Sequence, residues 1–251
     1  MNTTITRFIL AGTALAFAGA ARAESTPPQA LADTLRVDHY VEPIFPSQLY
    51  NKSVTEGYVQ AQVLVGADGQ VVELFVSAFS RPEFAECAEN ALRHWTFHPA
   101  EDPNALPQRF NLRINFRREG MIIVQGDFHE TVNSFLRIAD VSGEVTLCKL
   151  RDLDATPEIV NLVVPTYPEA LKQQKIEGAA AVSFYIDEKG QVRTPSVAGA
   201  TRPEFAQAAF EAVRQWTFTP PLRKGQTTRV FAVQEFNFTP ETVATAPAAT
   251  N

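Results

Sequence analysis

The sequence predicts an α+β protein that contains two tandem copies of one small domain, each a three-stranded antiparallel sheet with helices on one face. Residues 80–99 read SRPEFAECAENALRHWTFHP, and residues 201–220 read TRPEFAQAAFEAVRQWTFTP. Glycines and turn residues upstream match at the same offset, so the repeat covers a whole folding unit. In each copy two strand-like runs precede this line and one follows it.

The repeated line is predicted to form the core helix of each copy. Ser80 with Glu83, and Thr201 with Glu204, have the spacing of a capping box at a helix N-terminus. A proline soon after each tryptophan stops the helix. Apolar residues recur at helical spacing in both copies: Phe84, Cys87, Ala88, Ala91, Leu92 and Trp95, then Phe205, Ala208, Ala209, Ala212, Val213 and Trp216. We expect both tryptophans to fill the cores.

The strands are predicted on either side of this helix. Gly69 and Gly190 end turns between two strand-like runs, which indicates a hairpin in each copy. Residues 109–118 read RFNLRINFRR and alternate apolar with polar side chains, as a half-buried antiparallel strand does. Residues 229–238, RVFAVQEFNF, occupy the same place in the second copy. Pro46 and Pro168 each begin a short helical segment upstream.

The N-terminus predicts secretion. Arg7 precedes an apolar stretch over residues 8–21, and small residues at Ala21 and Ala23 precede a polar segment. We expect residues 1–23 to be a cleaved signal peptide and the mature protein to be secreted. The alternative is an uncleaved membrane anchor, for which the stretch is short of the roughly 20 residues needed. The net charge of −6, with scattered basic residues, argues against nucleic acid as a partner.

These signals divide the chain into five segments. After the signal peptide, the first copy is expected over residues 36–118 and the second over residues 158–240. Residues 119–157 are too apolar for a plain linker, so we expect a structured connector with a short helix after Asp127 or Glu130 and a strand near residues 145–147. Residues 24–33 and 241–251 have the composition of disordered tails.

An ordered series of motifs carries a family resemblance. Phe45 with Pro46, and Tyr167 with Pro168, are each followed by a glycine, a β run, a DG or KG turn, the helix, and WTFHP or WTFTP. This order resembles the C-terminal domain of TonB energy transducers, present here in two tandem copies over residues 43–118 and 163–239.

The resemblance implies a periplasmic binding domain without enzymatic activity or cofactor. In that family the domain captures a short extended segment, the TonB box, of outer-membrane transporters for iron chelates and vitamins, and so serves TonB-dependent transmembrane transport. The segment adds as a strand beside the last strand of the sheet. By position, the docking edges are Asn111, Leu112, Arg113, Ile114, Asn115 and Phe116 in the first copy and Val230, Phe231, Ala232, Val233, Gln234, Glu235 and Phe236 in the second.

Pro195 bears on which edge of the second sheet is open. It falls in the second hairpin strand, where only an edge strand tolerates proline, so that edge is blunted and the last strand is predicted to be the open one. Arg109, Arg113, Arg117 and Arg118 are expected on the outer face of the first docking strand. They either favour an acidic peptide or form a solvated charged face.

Two departures from the family change the expected role. The spacer before the first structured segment is about a dozen residues, which span only about 40 Å, so we expect binding rather than force transmission across the periplasm. The duplication permits bivalent binding. Partners are then outer-membrane transporters or other envelope proteins. The alternatives are an envelope scaffold whose copies pair with each other or self-associate, and a short-reach transducer that keeps its N-terminal anchor in the membrane.

The remaining candidate groups have structural explanations. Cys87 and Cys148 either form a disulfide in the oxidising periplasm or stay apart, with Cys87 as a small core residue. His94 and His98 have the spacing of a metal pair, but the second copy lacks both, so solvated or capping histidines are predicted. The sequence has no nucleophile elbow, phosphate loop or zinc signature, and we therefore expect no enzyme and no metal.

Overall fold

The computed structural model describes residues 2–9, 37–118, 120–125 and 147–240, with the backbone alone for residues 2–9, 120–122 and 124–125. The chain divides into two compact units, Thr13–Cys148 and Lys149–Asn251 with Met1–Gly12. Each unit holds one copy of the repeat. The two tails, residues 10–23 of the predicted signal peptide, and the predicted connector helix after Asp127 or Glu130 lie outside the described residues.

The first unit contains one antiparallel sheet with strand order β4-β3-β6-β7, and β2 pairs with β5 beside it. The core helix α1 packs against β3 and β4. With strands and helices numbered in chain order, the elements are β2 (Val37–His39), a 3-10 helix (Ser47–Leu49), β3 (Glu56–Val65), β4 (Val71–Phe79), α1 (Pro82–Leu92), β5 (Thr96–Phe97), β6 (Gln108–Arg117) and β7 (Gly120–Gln125).

The second unit repeats this plan, with strand order β1-β15-β10-β11 along its main sheet and β12 paired with β9. The core helix α3 packs against β10 and β11. The elements are β1 (Asn2–Ile9), a 3-10 helix (Leu150–Asp152), β9 (Ile159–Asn161), α2 (Glu169–Gln173), β10 (Gly178–Ile186), β11 (Val192–Ala200), α3 (Pro203–Val213), β12 (Thr217–Phe218), β13 (Leu222–Arg223), β14 (Gln226–Thr227) and β15 (Arg229–Thr239). A further short strand, β8, spans Leu147–Cys148.

The predicted α+β class and the helix–strand order of both copies are confirmed. Pro46 and Pro168 are the N-cap residues of the short upstream helices, as the sequence indicates. Pro195 lies in β11, which is an edge strand of the sheet, as predicted. None of the helices in the described part of the chain is long and apolar enough to cross a membrane.

The hairpin turn of each copy is tied to the strand that follows the core helix. Gly69 and Gly190 both have φ of 78°. The amide of Phe97 donates to Gly69 O, and that of Phe218 donates to Gly190 O, both at 2.8 Å. A Cβ at Gly69 would lie 2.0 Å from Phe97 O, so the close approach requires glycine. This contact joins the two repeated motifs, the turn and the WTF sequence, into one unit.

The tryptophan of each copy fills the core, as predicted. Trp95 is 2% exposed and Trp216 is 1% exposed. The indole Nε1 of Trp95 donates to Val41 O at 2.8 Å, and that of Trp216 donates to Val163 O at 2.7 Å. The polar end of each ring is thus satisfied by the segment that leads into its copy.

The predicted capping boxes are wrong. The N-cap residues of α1 and α3 are the following arginines, and neither has a side-chain capping bond. Ser80 continues the hydrogen bonding between β4 and β3, because its amide donates to Tyr58 O at 3.0 Å. Its hydroxyl therefore faces the sheet and accepts the Tyr58 amide at 2.9 Å. Glu83 instead forms an ion pair with Lys52 at 3.2 Å.

Candidate functional site

The candidate site is the last strand of each sheet, β6 in the first copy and β15 in the second. The predicted docking residues lie in these strands with alternating burial. Side chains on one face, such as Ile114 and Phe236, are fully buried in the cores. Those on the other face, such as Arg113 and Glu235, are partly exposed.

The ladder register shows which positions of the two strands are equivalent. Gly57 pairs with Phe116 across β3 and β6, and the matching glycine, Gly178, pairs with Phe238 across β10 and β15. Neither ladder has a register shift. The strands therefore align over their shared length. Equivalent pairs along them are Leu112 with Gln234, Arg113 with Glu235, Ile114 with Phe236, and Asn115 with Asn237.

Hydrogen bonds at the end of the second hairpin fix the direction of the backbone groups of β15. Thr201 donates its amide to Ala179 O at 2.9 Å, and its Oγ1 accepts the Ala179 amide at 3.0 Å. Both polar groups of Ala179 therefore face β11, so Ala179 and Asn237 form a non-hydrogen-bonded pair. The N–H and C=O of Asn237 point away from β10, and by alternation those of Glu235 and Val233 do so too.

The first copy has the same arrangement. The amide of Tyr58 donates to Ser80 Oγ at 2.9 Å, and Tyr58 O accepts the Ser80 amide at 3.0 Å. Its opposite residue on β6, Asn115, therefore points its N–H and C=O away from β3. The outward backbone groups of the two last strands thus occur at equivalent positions.

The outer side of β6 is closed by the chain itself, which corrects the expectation of an open edge in the first copy. The chain turns after Arg118 and returns as β7, which pairs antiparallel with β6 from Leu112 to Arg117. Among the predicted docking residues of this copy, only Asn111 precedes the paired stretch. Residues 120–125 read GMIIVQ, an apolar and β-branched run suited to a strand.

The outer side of β15 is paired with a segment from the opposite end of the sequence. β1 runs antiparallel to β15 and pairs with it from Val233 to Thr239, with one register shift between Ile5 and Phe8. The expected open edge of the second copy is therefore occupied in the full chain. The occupant is an extended segment far away in sequence, not a continuation of the domain.

Two of the arginines predicted on the outer face of the first docking strand differ in what they contact. Arg118 donates to the carbonyl oxygens of Tyr50 at 3.1 Å, Lys52 at 2.9 Å and Val54 at 3.0 Å. It therefore holds the turn after the first 3-10 helix. The guanidinium of Arg113 lies over the Tyr58 ring, 4.5 Å from its centre.

The cysteines and histidines show no second site. Cys87 and Cys148 are not joined by a disulfide, so the structure agrees with the alternative in which they stay apart. Cys87 packs against the first core, and burial raises the pKa of its thiol, with Glu86 adding to the effect. His94 Nδ1 lies 2.7 Å from Asn90 O on α1, and His98 lies 3.6 Å from Asp38. Within the described ranges, no three metal-binding side chains come together.

The sequence analysis missed β7 and its pairing with β6. The signal was present, because the GMIIVQ run directly follows the two residues, Arg118 and Glu119, that end the predicted strand. The run was assigned to the connector. The pairing of β1 had no sequence signal, because residues 2–9 have the composition expected at the start of a signal peptide.

Comparison with protein families identifies the repeated domain. The family model described as the Gram-negative bacterial TonB protein C-terminal matches residues 42–117 and again residues 163–240. The two matches coincide with the two copies of the repeat and together cover more than half of the chain. A search of curated proteins gives no match.

Proposed function

The chain belongs to the TonB C-terminal family, and we propose that it binds extended segments of outer-membrane transporters by adding them as a strand to β15. The family comprises non-enzymatic energy-transducing and binding domains of the envelope, and a member of it is a TonB-like protein associated with TonB-dependent transport. The proposal gives this general role a location, the second copy, and a mode of binding.

One observation carries the proposal: Val233 and Asn237, whose N–H and C=O groups point outward, are paired by an extended segment distant in sequence. Backbone pairing of this kind supplies affinity that depends little on sequence, and side chains at alternate positions then supply selectivity. The edge at β15 therefore has the geometry that strand addition requires. The first copy lacks this opportunity from Leu112 to Arg117, because β7 already pairs there.

Processing of the N-terminus is expected to open this edge. β1 falls entirely within residues 1–23, the predicted signal peptide, so cleavage after Ala23 removes it from the sheet. A row of outward backbone groups from Val233 to Thr239 is then left for a partner in the periplasm. β7 remains covalently attached in the mature protein, and so the first copy stays closed.

A matched pair of proline variants tests the proposal in the mature chain. Asn237→Pro removes one outward N–H of β15 and leaves the ladder with β10 intact, because that N–H does not face β10. Asn115→Pro removes the equivalent N–H of β6, which faces β7 rather than an open edge. Each variant and the unmodified chain are used to capture proteins from solubilised envelope, with crosslinking to map the segments in contact. We expect Asn237→Pro alone to lose capture of transporters through their periplasmic N-terminal segments.

Two outcomes contradict the proposal. If a folded Asn237→Pro variant captures transporters as well as the unmodified chain does, strand addition at β15 is excluded. If the unmodified chain captures only other copies of itself or unrelated envelope proteins, the chain is a scaffold rather than a transporter-binding protein. Near-ultraviolet circular dichroism of each variant establishes that loss of capture is not loss of folding.

A further inference from the structure

The two segments that pair with β6 and β15 have different sequences, but they occupy the same register. Ile114 of β6 pairs with Ile123 of β7, and Phe236 of β15 pairs with Ile5 of β1. Ile114 and Phe236 are equivalent positions of the repeat. Both added strands run antiparallel to the strand that they join, and each places an isoleucine at the same point of the edge.

Opposite Phe236, a side chain of the added strand comes closest to the core. The polar backbone groups of Phe236 face β10, because those of the neighbouring Asn237 face outward. The residue that joins opposite Phe236 is therefore in a non-hydrogen-bonded pair, in which Cα atoms are only about 4.5 Å apart and side chains pack most closely. Cross-strand neighbours of this kind lie on the same face of the sheet.

In the first copy, the equivalent position opposite Ile114 is occupied by Ile123 of β7. Ile123 is 8% exposed and belongs to the core cluster that includes Ile114 and Phe116. In the second copy, Phe236 is fully buried on the equivalent face, with its ring 5.6 Å from that of Trp216. A branched aliphatic side chain opposite Phe236 extends this apolar face as Ile123 extends the first one, whereas a charged side chain there loses its hydration.

We infer that the docking edge of the second copy selects an antiparallel segment with a branched aliphatic residue opposite Phe236. The inference rests on the proposed docking at β15 and adds the direction, the register and one required side chain. In the first copy, β7 acts as a covalently attached ligand of this kind. The backbone of the segment supplies general affinity, and this single residue fixes the register.

The probe for the test is a peptide with the sequence EGMIIVQ, residues 119–125 of this chain. It is added to the isotopically labelled chain that starts at Glu24, and hydrogen exchange is followed at the amides of Glu235 and Asn237, which lie opposite Val124 and Ile122 of the peptide in the inferred register. We expect slower exchange at these amides. A peptide with the change Ile123→Asp should bind at least about tenfold more weakly, because it loses the buried aliphatic side chain.

The matched control is the peptide with Ile122→Asp, which has the same composition and charge. In β7 this position pairs with Asn115 and is on the opposite face from Ile123. Its affinity should stay within about threefold of the parent peptide, less than the tenfold that corresponds to about 1.4 kcal/mol. Equal losses for the two aspartate peptides would overturn the requirement for an aliphatic residue at the register point.

The outcome also separates this inference from the proposed function. If transporter segments slow exchange at the amides of Glu235 and Asn237 but the EGMIIVQ peptide does not, even when it is tethered to the C-terminus of the chain to raise its effective concentration, docking stands and the inferred register is wrong. If neither slows exchange, the docking proposal fails and the inference fails with it. An added spin label on the peptide N-terminus that broadens Thr239 before Val233 supports the antiparallel direction, and the reverse order contradicts it.

Discussion

The two copies of the repeat have closely similar cores and different edges. Trp95 and Trp216 fill equivalent sites and bond to equivalent carbonyl groups. At the outer side of the last strand, β6 continues through a short turn into β7, whereas β15 is followed by residues 241–251, which lack a comparable apolar run. The two copies of a duplicated domain can thus keep one fold and differ in the few residues that follow the last strand.

The largest effect is expected from the shared core. Trp95→Ala and Trp216→Ala should each lower the free energy of unfolding of their own copy by about 3–5 kcal/mol, because each removes a fully buried ring. Urea unfolding followed by resonances of each copy measures the two costs. Val72→Ala, at a side chain 62% exposed, is the control and should cost little. Strongly unequal losses for the two tryptophans would show that the cores are not equivalent.

The glycines at the start of the central strands should have the next largest effect. A Cβ at Gly57 would lie 2.0 Å from the Phe84 ring, and one at Gly178 would lie 2.3 Å from the Phe205 ring. Both rings are fully buried, so Gly57→Ala and Gly178→Ala should each cost about 1–3 kcal/mol through overpacking. Gly199→Ala meets nothing within 4 Å and is the matched control. Thermal unfolding of the three variants measures the difference, and a cost at Gly199 equal to the others would contradict the steric explanation.

Exchanging the edges tests the difference between the copies. Replacement of residues 241–247 by EGMIIVQ, together with Pro240→Arg, gives β15 the continuation that β6 has. We expect binding of transporter segments to fall at least about tenfold, because a tethered strand competes at a millimolar effective concentration. A graft of the same length made of glycine and serine should leave binding unchanged. Fluorescence titration with a labelled transporter segment measures both, and equal affinities would show that docking does not use this edge.

The smallest effect concerns the hairpin formed by β13 and β14 in the second unit. Asp154 accepts the amides of Gly225 at 2.7 Å and Lys224 at 2.8 Å, and these bonds hold the pKa of its carboxyl below the ordinary value of 3.8. Because the folded pKa is depressed, the stabilisation is present above that value and disappears as the pH falls through the folded pKa. The Gly225 amide resonance should move in that acidic window. In Asp154→Asn the movement should vanish, and a movement near neutral pH would contradict the assignment.

The elements within each copy were predictable from sequence because they repeat and follow local rules. The helix stripe, the glycine turns and the alternation of β6 each carry a periodic signal, and the order of motifs identified the family. The capping boxes failed because Ser80 and Thr201 bond to the neighbouring strand across the sheet, a contact that spacing along one helix does not reveal. The strand β7 was not predicted because an apolar run after a domain is equally consistent with a connector.

The edge positions themselves were also predictable, but their occupancy was not. The predicted docking residues from Asn111 to Phe116 and from Val230 to Phe236 lie in the last strands, where the resemblance located them. Which segment pairs beside each strand depends on long-range contacts that no local pattern encodes. That Arg118 holds three carbonyl groups of a turn more than sixty residues earlier in the chain was hidden from the sequence for the same reason.

Amide hydrogen exchange of the mature chain, with and without the periplasmic N-terminal segment of a transporter, tests the central claim most directly. We predict that Asn115 on β6 is protected from the start, while Asn237 on β15 exchanges rapidly alone and becomes protected when the segment is added. Protection of Asn237 in the absence of any partner, or new protection that appears at β6 rather than at β15, would contradict the assignment of docking to the second copy.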